Sequence, residues 1–137
     1  MKLKTIRQQA TFSISPRRVY DALMDSKQHA RFTGASAKIS RKVGGTFRAY
    51  GTYIVGKNLA LSPGKKIVQS WRETRWPKGH FSTATFLFKP HRGGAKLLFT
   101  QTGVPAKYAA SIKDGWREFY WNPMEDMFKK RATRSRR

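Results

Sequence analysis

The feature that most constrains this chain is its punctuation between residues 37 and 102. Six segments rich in β-branched and aromatic residues, 37–42, 46–50, 53–61, 66–76, 80–89 and 95–102, are divided by Gly44-Gly45, Gly51-Thr52, Pro63-Gly64, Pro77-Lys78-Gly79 and Gly93-Gly94. Connections this short join neighbours in sequence, so the segments are predicted to form an antiparallel meander. The glycines at 43–45 and 92–94 supply the positive φ of tight turns. Neither run has the strand, Gly-rich loop and helix context of a nucleotide site.

What flanks the meander differs in period. Residues 5–14 alternate, with Ile6, Ala10, Phe12 and Ile14 on one side and Arg7, Gln9 and Thr11 on the other, which predicts a half-buried strand. Ser15-Pro16 reads as the N-cap and first residue of a helix to about residue 24, and Asp25 caps a second short helix that Gly34 stops. After Pro105, Ile112, Trp116, Phe119, Tyr120, Met124 and Met127 recur at steps of three and four. That spacing predicts one long amphipathic helix, kinked or locally opened by Pro123.

The resulting class is α+β: a strand, two short helices, six strands and a long helix, in one domain over residues 1–128. The terminal helix is the element long enough to cover a sheet face. A sheet curving around it encloses a cleft, the expected place for a small ligand. Period two puts Trp71 and Glu73 on the inner side of one strand with Gln69, and Phe86 and Phe88 on the inner side of the next. Gln101 shares parity with Phe99.

The residues "SPRRVYDALMDSKQHARFTG", "VGGTF", "GKNLALSPGKKIVQSWRETRWPKGHFSTATFLF", "GVP" and "DGWREFYWNPMEDMF" resemble the activator of heat-shock protein 90 ATPase homologue family, of the START-like or helix-grip superfamily. The resemblance runs over about residues 10–128. It implies the helix-grip fold, a curved antiparallel sheet wrapped around the long C-terminal helix, often with a hydrophobic cavity between them. In the eukaryotic co-chaperone an N-terminal domain precedes this one and contributes heavily to stimulating the chaperone. No such domain stands in these 137 residues, so a chaperone partner is one expectation beside a small apolar ligand. The family's first helix commonly opens Ser-Pro-Glu-Glu and its later turn reads Pro-Glu-Gly. Here Arg17, Arg18 and Lys78 stand in those places.

Those replacements belong to a general excess of positive charge. The chain has 29 Lys and Arg against 7 Asp and Glu, a net +22. Six of the cations fall in "KKRATRSRR" at 129–137, expected to be a disordered basic tail, and +16 remains on the fold. Such a protein attracts polyanions and nucleic acid non-specifically at low salt. A dedicated surface for them would use Arg17, Arg18, Arg72, Arg75, Lys78, Lys129, Lys130 and Arg131, with Trp76 or Tyr50 available to stack on bases. No RNA-binding signature or zinc-finger spacing accompanies the charge.

Chemistry finds little purchase. The chain has no cysteine, which removes a disulfide framework, a thiolate metal site and a cysteine nucleophile. His29, His80 and His91 fall on a helix, a strand start and a turn without metal-ligand spacing. No cofactor, metal or catalytic residue is expected, and the chain reads as a binding domain rather than an enzyme. No apolar run approaches the roughly 20 residues of a membrane span or the length of a signal peptide, so a cytoplasmic protein is expected. The candidate cleft residues are Phe47, Trp71, Glu73, His80, Phe86, Phe88, Phe99, Trp116, Phe119, Tyr120 and Met124. Glu73 and His80 would orient a ligand's polar group; alternatively, Glu73 pairs with a neighbouring arginine at the cleft mouth.

Overall fold

The computed structural model describes residues 1–135, with side chains through Lys129. Its seven strands are β1 (Leu3–Phe12), β2 (Ala37–Ile39), β3 (Thr46–Ala49), β4 (Ile54–Ser62), β5 (Lys66–Glu73), β6 (Ser82–His91) and β7 (Gly94–Pro105). They form one antiparallel sheet in the order β1-β7-β6-β5-β4-β3-β2. The meander is as the turns predict, and β1 closes its far side by pairing with β7. Helices α1 (Pro16–Met24) and α2 (Ser26–Thr33) follow β1.

Local chemistry accounts for both short helices. The Ser15 hydroxyl accepts the N–H of Arg18 at 3.3 Å, Pro16 occupies the first turn, and the Asp25 carboxylate accepts the N–H of Gln28 at 2.9 Å. Gly34 ends α2 at φ 73°. At the positive end of α1 the two arginines fare differently. Arg17 reaches Asp21 one turn on at 3.3 Å, whereas Arg18 sits exposed at the third helical position. Arg18→Glu would complete a capping box with Ser15 and reverse the charge at the dipole's positive end. It is expected to stabilise the domain by about 0.5–1.5 kcal/mol in urea titrations at low salt; an unchanged or lower midpoint would contradict this account.

In the β6–β7 hairpin, Arg92 (φ 48°) and Gly93 (φ 79°) form a two-residue turn with both central residues left-handed. Gly94 serves another purpose: a Cβ there would lie 2.1 Å from the Phe12 carbonyl oxygen. One glycine of that pair makes the turn, and the other lets β1 approach.

The long helix is not uniform. Helix α3 (Ala106–Trp116) passes into a π-helical turn (Arg117–Trp121) and resumes as α4 (Asn122–Ser135). The opening expected at Pro123 therefore appears just upstream of it, where a proline in a regular helix would crowd the Phe119 carbonyl. A wide turn rotates less per residue, and Tyr120 and Trp121 are both buried although adjacent in sequence. Helix α4 continues past residue 128, so the backbone to Ser135 is helical where an unstructured tail was expected. The tail's side chains from residue 130 on, and residues 136 and 137, lie outside the described residues.

Candidate functional site

Along most of its length the inner sheet face meets the terminal helix in solid packing. Phe86 lies 5.0 Å from Phe99 and edge-on to Trp116, Phe88 packs on Tyr20 of α1, and Phe12 on Phe128. Met124 is fully buried. Phe86, Phe88, Phe99 and Met124, expected to line the cleft, are thus interior. Phe47 is also buried and borders a groove opening on the other side of the sheet. His80 lies in the β5–β6 connection, its Nε2 donating to the Gly103 carbonyl at 2.7 Å.

The two layers part at the end where β4 and β5 meet α3. A cavity of about 480 Å³ opens there. Its sheet side is Tyr50, Tyr53, Ile54, Trp71 and Glu73; its helix side is Ser111, Ile112, Gly115 and Trp116, with Phe119 and Tyr120 from the π turn. Of the residues predicted for the cleft, Trp71, Glu73, Trp116, Phe119 and Tyr120 come together here. Phe119 stands at the mouth, 46% exposed, with its ring 5.9 Å from Tyr50.

Glu73 is buried and ion-paired. Its Oε1 accepts from the Tyr53 hydroxyl at 3.0 Å and from Arg75 Nε and Nη2 at 3.0 and 2.6 Å. The Arg75 guanidinium in turn lies over the Tyr108 ring at 4.5 Å. Arg75 therefore lines the cavity mouth with its charge matched by Glu73, while its side chain stays 46% exposed. Of the two readings of Glu73, pairing with an arginine at the mouth is the one the geometry shows.

The glutamines thought to face the cleft are occupied elsewhere. Gln101, 0% exposed, accepts from Trp116 Nε1 at 2.8 Å and donates to the Ser82 hydroxyl, which donates to the Trp71 carbonyl. Gln69 donates to Asn58. A third glutamine, Gln8 of β1, for which no role was expected, takes the Trp121 indole N–H while donating to the Lys113 carbonyl. Behind the cavity His29 is buried between two partners. Because the Leu23 carbonyl can only accept, Nδ1 carries the proton, and Nε2 accepts from the Tyr120 hydroxyl at 2.9 Å. Burial lowers the His29 pKa to about 4 and raises that of Tyr120, so both are neutral at pH 7.

Tyr50 is the polar group left over. Its hydroxyl is buried without a hydrogen-bond partner, and burial foremost, then the charge of Glu118, raises its pKa. It remains a protonated donor, on a residue that lines the cavity. Trp76 Nε1 is likewise buried and unpartnered, with the Trp76 ring against Trp71. A ring so enclosed has no face for a nucleic-acid base, contrary to the role considered for it.

The expected polyanion residues also separate. Arg72 braces the β5–β6 turn by donating to the carbonyls of Trp76, Pro77 and His80. Arg17 lies beside Gly64, at the opposite end of β5 and about 20 Å away along the strand. Arg18 and Lys78 are exposed on α1 and the turn, and Lys129 pairs with Glu125 on α4. Lys130 and Arg131 lie outside the described side chains. Among the described residues no group of three or more His, Asp or Glu is placed to hold a metal ion, and no helix is long and apolar enough to cross a membrane.

Comparison with known proteins agrees with this architecture. Residues 13–129 match the family model for activator of Hsp90 ATPase homolog 1-like protein. The chain belongs to this family. Among activator of 90 kDa heat shock protein ATPase homologues, it is 34% identical over 115 residues to the one from Dictyostelium discoideum and 31% identical over 118 residues to homolog 1 from Homo sapiens. Those alignments cover 83% and 86% of this chain but only 30% and 35% of the relatives, so the chain spans about a third of their length. The crystal structure of an HSP90 activator from Plasmodium falciparum superposes with a TM-score of 0.84 at 25% identity, covering 90% of this chain and 94% of that one.

Within this activator-homologue domain, the cavity residues missed from sequence are Tyr50, Tyr53, Ile54, Arg75, Ser111, Ile112 and Gly115. A signal for the helix side existed. Ile112, Gly115, Trp116 and Phe119 share one helix face, and a glycine on such a face leaves space. The tyrosines flanking Gly51-Thr52 carry no comparable mark, because a turn of the backbone brings them to the cavity.

Proposed function

We propose that this chain is a non-catalytic, cytoplasmic START-like domain that takes a small, mostly apolar ligand between β4–β5 and α3. The observation that carries the reading is the buried, unpartnered Tyr50 hydroxyl beside an aromatic-walled cavity of about 480 Å³. That volume falls within the roughly 300–1,000 Å³ of small-molecule sites. A lone buried donor costs about 1–3 kcal/mol, which a ligand's acceptor would offset. The favoured ligand is a flat ring system with one carbonyl, ether or hydroxyl oxygen for Tyr50, its apolar faces against Trp71, Trp116 and Phe119. Glu73 and Arg75 neutralise each other at the mouth, so neither selects a charged ligand.

Gly115 provides the test. An added Cβ would meet only Phe119, at 3.7 Å. Gly115→Ala is therefore expected to raise stability by about 0.5–1 kcal/mol, the helix-interior difference between the two residues. Gly115→Leu, which fills the space, should bind nothing. In thermal-shift measurements over a panel of polycyclic ketones, sterols and aromatic acids, a binder should raise the Tm of the wild type but not of Gly115→Leu. Tyr50→Phe should weaken oxygenated members selectively. A panel without any shift, or shifts that persist in Gly115→Leu, would refute the proposal.

Family membership favours a second reading, a protein-interaction module acting on a heat-shock ATPase, as the relatives' names state of those proteins. Adding the domain to a purified Hsp90-type ATPase and measuring turnover decides it: an unchanged rate excludes stimulation by this domain alone.

A further inference from the structure

The outer face of the sheet carries a charge separation that the cavity does not explain. Strand register aligns Lys38 with Arg48, Arg48 with Val55, and Val55 with Arg72, so these four side chains run in one row across β2 to β5. Lys57 stands in the next row, opposite Ser70. Period two turns all of them away from the helix, because Phe47, Ala49, Trp71 and Glu73 between them are buried on the inner side. Of the chain's seven carboxylates only Glu73 lies on a strand, and it points into the cavity; the others are on the helices and their caps. Among the described residues the outer face therefore has cations and no carboxylate to neutralise them.

Lys38, Arg48, Val55 and Lys57 border a groove of about 860 Å³ that ends at Phe81. Phe81 continues the row beyond Arg72 and is 45% exposed. The Arg72 guanidinium, held by the turn carbonyls, lies 5.8 Å from the Phe81 ring centre. An exposed ring and a valine set among unpaired cations suit a ligand that is both anionic and planar.

We propose that this groove binds single-stranded nucleic acid, with phosphates on Lys38, Arg48 and Lys57 and a base stacked on Phe81. Cations on strands about 4.8 Å apart lie along a row that an extended backbone can follow, and an aromatic side chain on a sheet face is a general platform for unpaired bases. A duplex offers this face only phosphate and sugar, since its bases are stacked inside. An acidic peptide matches the cations but makes no use of the ring.

The test is fluorescence anisotropy of the full chain with labelled 12-nucleotide single strands and a 12-bp duplex, at 50 and 150 mM salt. Single strands are expected to bind at least tenfold more tightly than the duplex at the higher salt. The triple variant Lys38→Gln/Arg48→Gln/Lys57→Gln should lose about 100-fold and flatten the log–log salt slope by about 2, at roughly 0.7 per phosphate contact. Phe81→Ala should lose about tenfold with the slope unchanged. Lys89→Gln/Lys96→Gln, a pair on the same face at the far end of β6 and β7, should lose less than threefold. Equal or tighter duplex binding, indifference to Phe81→Ala, or displacement of the single strand by poly-glutamate as effectively as by an unlabelled strand would overturn the proposal. The wild-type comparison of strand and duplex needs no variant to fold.

Discussion

Acidifying this domain from pH 7 to pH 4 is expected to remove about 3 kcal/mol of folding stability through His29 alone. The ring is enclosed by Leu23, Phe32 and Tyr120, and burial lowers its pKa from 6.5 to about 4. The unfolded chain therefore takes up this proton first as pH falls. Stability is fully present above the unfolded pKa and is lost progressively between about 6.5 and 4, with a slope approaching 1.4 kcal/mol per pH unit. Protonation also makes Nε2 a donor, so the Tyr120 hydroxyl must turn from donating to accepting and its own proton loses that partner. Other groups titrate in acid, and a net +22 grows more repulsive. The measurement is accordingly a difference: urea unfolding from pH 4 to 7 for the wild type and for His29→Gln, whose amide can still accept from Tyr120. The wild-type curve should fall more steeply; parallel curves would show that His29 is not responsible.

Gln101→Leu is expected to cost about 2–4 kcal/mol at neutral pH. The side chain is wholly buried and joins three elements: it accepts from Trp116 in α3 and donates to Ser82 of β6, whose hydroxyl bonds the β5 backbone at Trp71. Leucine is apolar and close in size, so the loss is chiefly the Trp116 N–H left buried without an acceptor, about 1–3 kcal/mol, plus imperfect packing of the branched chain. Trp116→Phe removes the same donor from the other side. In a double-mutant cycle the two substitutions should cost about 1–2 kcal/mol less together than their separate sum. Strict additivity would mean that the hydrogen bond does not hold the helix to the sheet. Because Trp116 is also a wall of the cavity, this bond sets the position of the ring against which a ligand would lie.

The sequence carried the frame of the molecule in local signals. Ser15-Pro16, Asp25 and Gly34 mark two helices because caps and left-handed residues act within one turn of chain. The glycines and prolines between 44 and 94 mark the hairpins for the same reason, and period two separates Trp71 and Glu73 from Arg72 correctly. The basic character was legible too, but its arrangement was not. Whether a cation is free depends on its neighbours in space, and Arg75 proved to be held by Glu73, and Arg72 by three turn carbonyls.

Alternation states which residues face inward, but not whether they meet a helix or a void. Phe86, Phe88, Phe99 and Met124 have the same pattern as Trp71 and Trp116, yet they lie where the layers touch. The cavity exists where the layers diverge, beside Gly115 and a π turn that opens just before Pro123. Aromatics offered a similar lesson: Trp76 is buried and Phe81 exposed, a distinction set by the fold of the turn and not by residue type. Patterning and caps, which act over a few residues, determined the elements and their order. The distance between layers, the partner of each buried polar group and the row of cations across β2 to β5 depend on contacts between residues far apart in the chain, and only the tertiary structure decided them.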